Sequence, residues 1–268
     1  MGITDPTGPS DRGGPLDGLN AERTPWLRDA EASDVVVSSR VRLARNLAGF
    51  RFVSRAEPED RTAILELLRE RFAHTELTTG ARSHWLDLHT LDRLERDLLV
   101  ERHLISPQHA RGLKVAVTHG GVDPRAAVVS LPDEGVSVMV NEEDHLRLQS
   151  LRPGLALERA LADVDRVDDS VEQGVDYAYS SRFGYLTACP TNVGTGVRLS
   201  VMLHLPALRM LGEIEKVKRA ASDMSLAVRG FWGEGSEAEG DFYQLSNQTT
   251  LGRTERVMLD ELARTIVP

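Results

Sequence analysis

The chain has 268 residues, a formal net charge of −9 and an isoelectric point of about 5.4. Its 41% hydrophobic and 27% charged residues are typical of a soluble globular protein, and no apolar run approaches the roughly 20 residues that cross a bilayer. The acidic balance argues against a direct nucleic-acid binder and suits basic macromolecular partners. A single cysteine, Cys189, excludes an intramolecular disulfide, and the first residues lack the segments of a signal peptide, so we expect a cytoplasmic protein with no membrane attachment.

The pattern along the chain predicts two parts. Residues 1–33 are rich in Gly, Pro, Asp and Arg and predict a disordered N-terminal extension, in which Trp26 and Leu27 dock on the body. Residues 34–268 predict one catalytic domain. The predicted helices cover 58–72, 90–104 (capped by Thr90), 153–175, 206–222 and 254–266, and the predicted strands begin at Val35 and cover 85–88, 113–118, 125–131, 136–148, 226–231 and 242–246, with an extended region over 185–205. Strands grouped in runs between helices indicate an α+β fold with antiparallel pairing.

Arginines recur on one side of several predicted strands. An extended backbone sends alternate residues to the same face of a sheet. This groups Arg40 with Arg42, Glu143 and His145 with Arg147, and Arg198 with Ser200. For any single segment, an ordinary solvated sheet face remains the alternative.

Two glycine-rich segments accompany these strands, Cys-Pro-Thr-Asn-Val-Gly-Thr-Gly at 189–196 and Arg-Gly-Phe-Trp-Gly-Glu-Gly at 229–235. Neither has the spacing of a P-loop or of a dinucleotide-binding fingerprint. Each alone could be a loop with positive φ angles. A triphosphate requires several forked cations and close approach of the backbone, and arginine strands beside glycine-rich loops would supply both.

Taken together, the segments 38–42, 141–147, 189–196 and 229–235 resemble the signature set of the phosphagen (guanidino) kinase family, in residues, order and spacing. The resemblance covers about residues 34–255. The segments 104–107, 202–206 and 246–252 resemble the bacterial protein-arginine kinase branch, the McsB type. The resemblance implies an antiparallel sheet flanked by helices, of the glutamine synthetase/guanidino kinase type. It also implies an enzyme that transfers the γ-phosphate of ATP to a guanidinium group.

The resemblance further implies roles for individual residues. Glu143 and Glu234 match the carboxylates that hold the acceptor guanidinium, and Cys189 matches the cysteine beside it. A small buried hydrophobic residue is the alternative reading of Cys189. His103 matches a histidine beside the nucleotide base. The residues that match ATP-binding positions are Ser38, Ser39, Arg40, Val41, Arg42, His103, Arg147, Arg198, Leu199, Ser200, Val201, Met202, Arg229, Gly230, Phe231, Trp232, Gly233 and Glu234.

The chemistry of a guanidinium acceptor accounts for this set of residues. A guanidinium is a poor nucleophile because its lone pairs are delocalised and its pKa exceeds about 12. Two carboxylates can orient it and accept a proton as the N–P bond forms. Arginines and Mg²⁺ offset the charge on the transferring phosphoryl group. We expect phosphates and water to hold the Mg²⁺ ion, because no acidic metal-binding pattern is evident and the remaining histidines lack ligand spacing.

The acceptor is expected to be an arginine in a protein. Family members that act on small guanidines carry a helical N-terminal domain of about 100 residues, and residues 1–33 offer no counterpart, which predicts an open site. The McsB type continues into a further helical domain, so dimerisation and feedback are not inferred, and an oligomer remains open. The alternatives are a kinase of free arginine or a similar guanidine, and a non-catalytic ATP-binding regulator, which the retained Glu143 and Glu234 disfavour.

Overall fold

In a computed structural model of the chain, residues 16, 19, 35–80, 82–112, 123–230 and 240–266 are described. They form an eight-stranded antiparallel sheet in the order β2-β3-β4-β5-β1-β8-β10-β9 and a separate two-stranded hairpin, β6-β7. The strands are β1 (Val36–Arg45), β2 (Arg82–Asp87), β3 (Ala126–Leu131), β4 (Val136–Val140), β5 (Leu146–Pro153), β6 (Tyr179–Ser180), β7 (Gly184–Tyr185), β8 (Val197–His204), β9 (Leu226–Arg229) and β10 (Phe242–Asn247).

The strand β1 lies in the middle of the sheet, paired with β5 on one side and β8 on the other. Successive side chains of a strand point to opposite sides of the sheet, so the alternation of apolar and charged residues in β1 gives this strand one apolar face and one polar face. Val41 and Leu43 are fully buried in the core, whereas Arg40 and Arg42 lie on the other face. The register sets Arg42 directly opposite Arg198 of β8, which brings two guanidinium groups to one face.

Helices pack around the sheet as α1 (Pro58–Phe72), α2 (Arg93–Glu101), α3 (Pro107–Arg111), α4 (Leu157–Glu172), α5 (Pro206–Met210), α6 (Ile214–Asp223) and α7 (Glu255–Ile266). The α+β architecture predicted from the sequence is confirmed. The predicted bounds of α1 are also confirmed. They could be predicted because proline at the first helical position and acidic residues in the first turn are local signals of a helix start. Within the described ranges, no helix combines the length and the apolar character needed to cross a membrane.

The predicted start of α2 is wrong. Asp92, not Thr90, caps this helix: its carboxylate accepts a hydrogen bond from Glu95 N at 2.8 Å, and the Glu95 carboxylate accepts one from Asp92 N at 2.8 Å. This reciprocal pair satisfies two backbone donors at once. The Thr90 hydroxyl instead donates to Asp87 O, in the turn that follows β2.

Three other predicted elements are shorter or interrupted. The predicted helix over 206–222 is two helices, because Gly212 adopts φ 70° between α5 and α6. The helix predicted over 153–175 is limited to Leu157–Glu172, since β5 extends to Pro153. The strand predicted over 136–148 is broken at 141–145 by a turn that begins with Asn141 at φ 58°. The strand predicted over 113–118 lies outside the described residues.

The main hydrophobic core fills the space between the sheet and the helices α1, α4 and α7. A smaller apolar cluster lies under α2 and α3, and Leu16 and Leu19 pack against it. The rest of the N-terminal extension, including Trp26 and Leu27, lies outside the described residues, so the division at residue 33 stays a prediction. The second face of the sheet, opposite the main core, carries the polar residues described next.

Candidate active site

A cleft of about 420 Å³ opens on the polar face of the sheet. The structure brings together in its wall the five arginines predicted to bind ATP: Arg40 and Arg42 from β1, Arg147 from β5, Arg198 from β8 and Arg229 from β9. They meet because antiparallel neighbours place alternate residues on the same side. Such a concentration of guanidinium groups is the arrangement expected for a polyanionic ligand.

These arginines repel one another. Burial, together with the charges of Arg147 and Arg229, lowers the pKa of Arg40 to about 10. Burial and the charges of Arg40, Arg147 and Arg198 hold the pKa of Arg42 well below its ordinary value, against an opposing effect of Glu142. Within the described part of the chain, Arg42 Nε is buried without a hydrogen-bond partner. The arginines therefore give this part of the cleft an excess of positive charge.

Arg147 is paired with carboxylates from the turn that precedes β5. Its Nη1 lies 2.7 Å from Glu142 Oε2, and its Nη2 lies 2.5 Å from Glu143 Oε2 and 3.9 Å from Asp144 Oδ2. Burial alone would lower the pKa of Arg147, but the three carboxylates raise it above its ordinary value. Two adjacent glutamates thus hold one internal guanidinium between them.

The turn at 141–145 presents these glutamates because the residues at its two ends, Asn141 and His145, are hydrogen-bonded to the backbone of other segments. The buried Asn141 side chain donates to Arg61 O at 2.8 Å and to Pro124 O at 2.9 Å. The expectation that His145 shares a face with Glu143 and Arg147 is wrong. His145 is fully buried on the other side, where its Nδ1 accepts from Leu47 N at 2.9 Å and its Nε2 donates to Arg51 O at 2.8 Å.

The predicted cysteine lies in the loop before β8, next to a residue that is hydrogen-bonded to this turn. Cys189 is a free, partly exposed thiol that lines the cleft, so it is not a residue of the hydrophobic core. Its Sγ lies 3.0 Å from Thr191 Oγ1, and Arg198 donates to the same hydroxyl at 3.2 Å and to Asn192 Oδ1 at 2.9 Å. The loop therefore joins the thiol to one of the cleft arginines.

Glycine is required in this loop at 194, where φ is 118°. A Cβ atom there would lie 2.8 Å from Thr250 O and 2.9 Å from Leu251 Cα, closer than a side chain can approach. The loop can pack against the segment that follows β10 only because this side chain is missing.

His103, predicted to lie beside the nucleotide base, lines the cleft together with the arginines. It follows α2 with φ 58° and lines both the cleft and a small neighbouring cavity. Burial and the nearby Arg40 charge lower the pKa of His103 to about 3, so its ring is neutral at physiological pH. A flat, neutral ring beside a cationic cluster is suited to stack on a base.

The other residues predicted to bind ATP are found on both faces of the sheet or beyond the described part of the chain. Ser38, Ser200 and Met202 line the small cavity with Arg40 and His103. Val41, Leu199 and Val201 have their side chains in the main core. Ser39 is fully buried, donates to Gly154 O and accepts from Ala156 N, so it joins β1 to the start of α4. Gly230 is buried after β9, and Phe231, Trp232, Gly233 and Glu234 lie outside the described residues.

Several residues that line the cleft were not predicted from the sequence, namely Ser106, His109, Asp123, Arg125, Met139, Glu142 and Gln149. Glu142 could have been found, since it lies beside Glu143 in the same segment. His109 is less obvious: its Nε2 donates to Ala126 O at 3.0 Å, and within the described residues its buried Nδ1 has no partner. Burial lowers the pKa of His109 to about 4 despite the bond to Ala126.

The donor set fits an Mg²⁺ ion that arrives with phosphates better than one held by the protein. Among the described residues, no group of three or more His, Cys, Asp or Glu side chains could hold a metal ion. Glu142 and Glu143 are paired with Arg147. Mg²⁺ commonly retains water and binds phosphate oxygens with few protein ligands.

Comparison with known proteins agrees with this geometry. The model of the family "ATP:guanido phosphotransferase, C-terminal catalytic domain" matches residues 64–267. The chain is 42% identical over 240 residues to a protein-arginine kinase of Shouchella clausii (strain KSM-K16), covering 89% of this chain and 64% of that protein. It is 45% identical over 240 residues to a protein-arginine kinase of Halalkalibacterium halodurans, with coverage of 89% and 64%. The chain thus spans less than two thirds of the length of these curated relatives.

Solved structures show the same fold. The duplicated taurocyamine kinase from Schistosoma mansoni, with bound transition state analog components, superposes with a TM-score of 0.76 at 25% identity, covering 91% of this chain and 34% of that chain. A lombricine kinase superposes with a TM-score of 0.71 at 24% identity, covering 94% of this chain and 71% of that chain.

Proposed function

The chain belongs to the ATP:guanido phosphotransferase family, and from that premise we propose that it is an ATP-dependent kinase that phosphorylates the guanidinium group of arginine residues in proteins. The observation that carries the proposal is the cluster of five arginines on one face of the sheet, two of which have a lowered pKa because of burial and mutual repulsion. A triphosphate would relieve this repulsion, since it brings several negative charges into a partly desolvated cleft.

The acceptor side of the proposal rests on the turn at 141–145. Glu142 and Glu143 hold the guanidinium of Arg147 at 2.7 Å and 2.5 Å, so this turn has the geometry to bind a guanidinium. When phosphates attract Arg147, the Glu143 carboxylate is released and can accept the arginine of a substrate. Glu143 then orients the acceptor nitrogen and takes up its proton as the N–P bond forms.

The remaining roles follow from position. Cys189 faces the same part of the cleft and would contact the acceptor, and Glu234 is the second carboxylate proposed from the family resemblance. The other arginines would stabilise the charge on the transferring phosphoryl group. Mg²⁺ bound to the phosphates would supply further neutralisation of that charge. His103 would stack on the base.

Similarity supports a protein-borne acceptor. The relatives that are 42% and 45% identical are protein-arginine kinases. A net charge of −9 suits substrates with exposed, basic arginine-containing segments. A cytoplasmic location fits a chain whose one cysteine is a free thiol in the cleft.

The test is to incubate the purified protein with Mg-ATP and either a bacterial protein extract or free L-arginine, and to search for phosphoarginine by mass spectrometry. We expect acid-labile phosphoarginine on proteins. Glu143→Gln should abolish it while retaining ATP binding, and Glu158→Gln, at an exposed ion pair with Arg256, should not change it. Efficient phosphorylation of free arginine but not of proteins would exclude a protein-arginine kinase. ATP binding without any transfer would support the non-catalytic regulator.

A further inference from the structure

Two of the residues proposed to hold the acceptor, Glu143 and Cys189, come from segments that are far apart in sequence. Glu143 belongs to the turn at 141–145, and Cys189 directly follows the segment 186–188. Neither segment is a regular strand or helix. Phosphoryl transfer requires the acceptor to be held within a fraction of an ångström of its reactive position. Some contact must therefore fix the distance between these two segments.

A single side chain, that of Asn46 at the end of β1, contacts both of them. Its Oδ1 accepts from His145 N at 3.0 Å. Its Nδ2 donates to Asp144 Oδ1 at 2.7 Å and to Leu186 O at 3.1 Å. The same Asp144 oxygen accepts from Ala188 N at 2.7 Å. Turn and loop are thus joined through Asn46 and Asp144, immediately beside Glu143 and Cys189.

We propose that Asn46 is a positioning residue for the reaction, which fixes Glu143 and Cys189 relative to each other through its bonds to Asp144, His145 and Leu186. This inference rests on the proposed function. Asn46 is only 2% exposed and is not among the described residues that line the cleft, so it acts through other residues and does not touch the substrate.

The chemistry of the side chain explains why asparagine is suited to this position. A carboxamide offers two donors and an acceptor on one short side chain, and Asn46 uses all three functions. An alanine would remove the side-chain donor to the Leu186 carbonyl and one of the two donors to Asp144 Oδ1, leaving only the bond from Ala188 N. An aspartate would place a second carboxylate against Asp144, whose own pKa is already raised by burial.

The first test compares steady-state kinetics of the full chain and its Asn46→Ala variant, with Mg-ATP and an arginine-containing peptide. We expect kcat to fall about 10- to 100-fold, the cost of a small misplacement of reacting groups. The KM for ATP should change less than about twofold, because the arginine cluster is untouched. Ser130→Ala is the matched control: it removes a buried hydroxyl that bonds to Val136, at the end of β4 that is remote from the turn at 141–145, so it costs stability but leaves the acceptor side intact.

The second test uses pH. In Asn46→Asp, the two facing carboxylates repel each other, which raises the pKa of one of them, so the pair takes up a shared proton as the pH falls. The shared proton restores a hydrogen bond between residues 46 and 144. We expect the activity of this variant, relative to wild type at the same pH, to increase at least fivefold between pH 8 and pH 6, and that of Asn46→Ala to stay constant. Asn46→Ser, which keeps one donor, should retain intermediate activity.

The outcomes separate the two proposals. If the wild-type chain does not phosphorylate arginine in any protein or peptide, the proposed function is wrong whatever Asn46 does. If the wild type is active and the Asn46 variants lose no more activity than their decrease in melting temperature accounts for, as expected for Ser130→Ala, the positioning role is wrong. Equal pH profiles for Asn46→Asp and Asn46→Ala would also overturn it.

Discussion

At the scale of single residues, repulsion among the arginines of the cleft destabilises the ligand-free protein. Arg42 is surrounded by Arg40, Arg147 and Arg198, and burial together with these charges holds its pKa well below the ordinary value. Its register partner on β8 is itself an arginine. Like charges directly opposite each other on neighbouring strands are destabilising. The ligand-free protein therefore bears a cost that a polyanionic ligand would offset.

Arg42→Met should separate these two effects. Methionine keeps most of the buried alkyl length but removes the charge. We expect the free energy of unfolding of the ligand-free protein to increase by about 1 kcal/mol, and the affinity for Mg-ATP to decrease about 10- to 100-fold, the value of a charge-assisted contact. Thermal melts with and without Mg-ATP measure both. Arg159→Met, at an exposed position of α4, should change neither, and a destabilised Arg42→Met would contradict the argument.

The residues of the site were predictable where strand alternation decides their face. Alternation alone grouped Arg40 with Arg42 and Arg198 with Ser200, and the register sets the two pairs opposite each other. That both pairs serve one ligand was implied only by the family resemblance. The pairing of Arg147 with Glu142 and the bridge made by Asn46 were not predicted. Both depend on a turn whose conformation is set by contacts with Arg61 O and Pro124 O, which are distant in sequence. Local pattern carries no information about such contacts.

At the scale of elements, local signals explain which boundaries were predicted. Proline and two acidic residues mark the start of α1 within a few positions of each other, and the predicted bounds were right. The segment 136–148 was predicted as one continuous strand, although its five middle residues, 141–145, are all polar. The turn within it depends on Asn141 adopting φ 58°, a conformation that asparagine tolerates but does not require.

The junction of α4 and α7 contains an unfavourable group of carboxylates. Burial, followed by the charges of Glu255, Asp168 and Asp169, raises the pKa of Asp165 to about 7. Burial also raises the pKa of Glu255, in the first turn of α7. Because the folded-state pKa of Asp165 exceeds its unfolded value, ionisation opposes folding. The penalty begins as the pH rises above about 4 and is complete above about 7.

Asp165→Asn should therefore stabilise the protein in a pH-dependent manner. We expect the melting temperature to rise by a few degrees at pH 8, on the order of 1 kcal/mol once solvent screening of this half-exposed group is considered. The gain should shrink steadily toward pH 4. Differential scanning calorimetry across this range measures it. Asp169→Asn, at an exposed position on the same helix, should give a smaller gain, and a constant gain at all pH values would refute the assignment to Asp165.

At the scale of the whole molecule, three buried histidines are expected to make the folded state less stable at acidic pH. Burial lowers the pKa of His103 to about 3 and that of His109 to about 4, and it lowers the pKa of His145 below its ordinary value. A folded-state pKa below the unfolded value means that the unfolded chain binds protons first. Stability is then complete above about pH 6.5 and decreases as the pH falls below it.

Urea denaturation at pH 7 and pH 5 tests this response. Each strongly shifted histidine should contribute a loss of about 2 kcal/mol in the free energy of unfolding between these pH values. His109→Gln, whose amide can still donate to Ala126 O, should reduce the loss by about that amount. His74→Gln, at an exposed position after α1, should leave it unchanged. Equal acid sensitivity in all three proteins would show that other groups control the transition.

The central position of β1 has a consequence for motion. Its amides and carbonyls are hydrogen-bonded to strands on both sides, so amide hydrogen exchange there requires an opening close to global unfolding. The turn at 141–145 and the segment 186–188 lie outside the regular strands and helices and are held by a few backbone and side-chain hydrogen bonds, so we expect them to open at a lower free energy. The cleft arginines of β1 therefore belong to the part of the molecule that opens least often, whereas the turn and segment proposed to hold the acceptor depend on a few contacts such as those of Asn46.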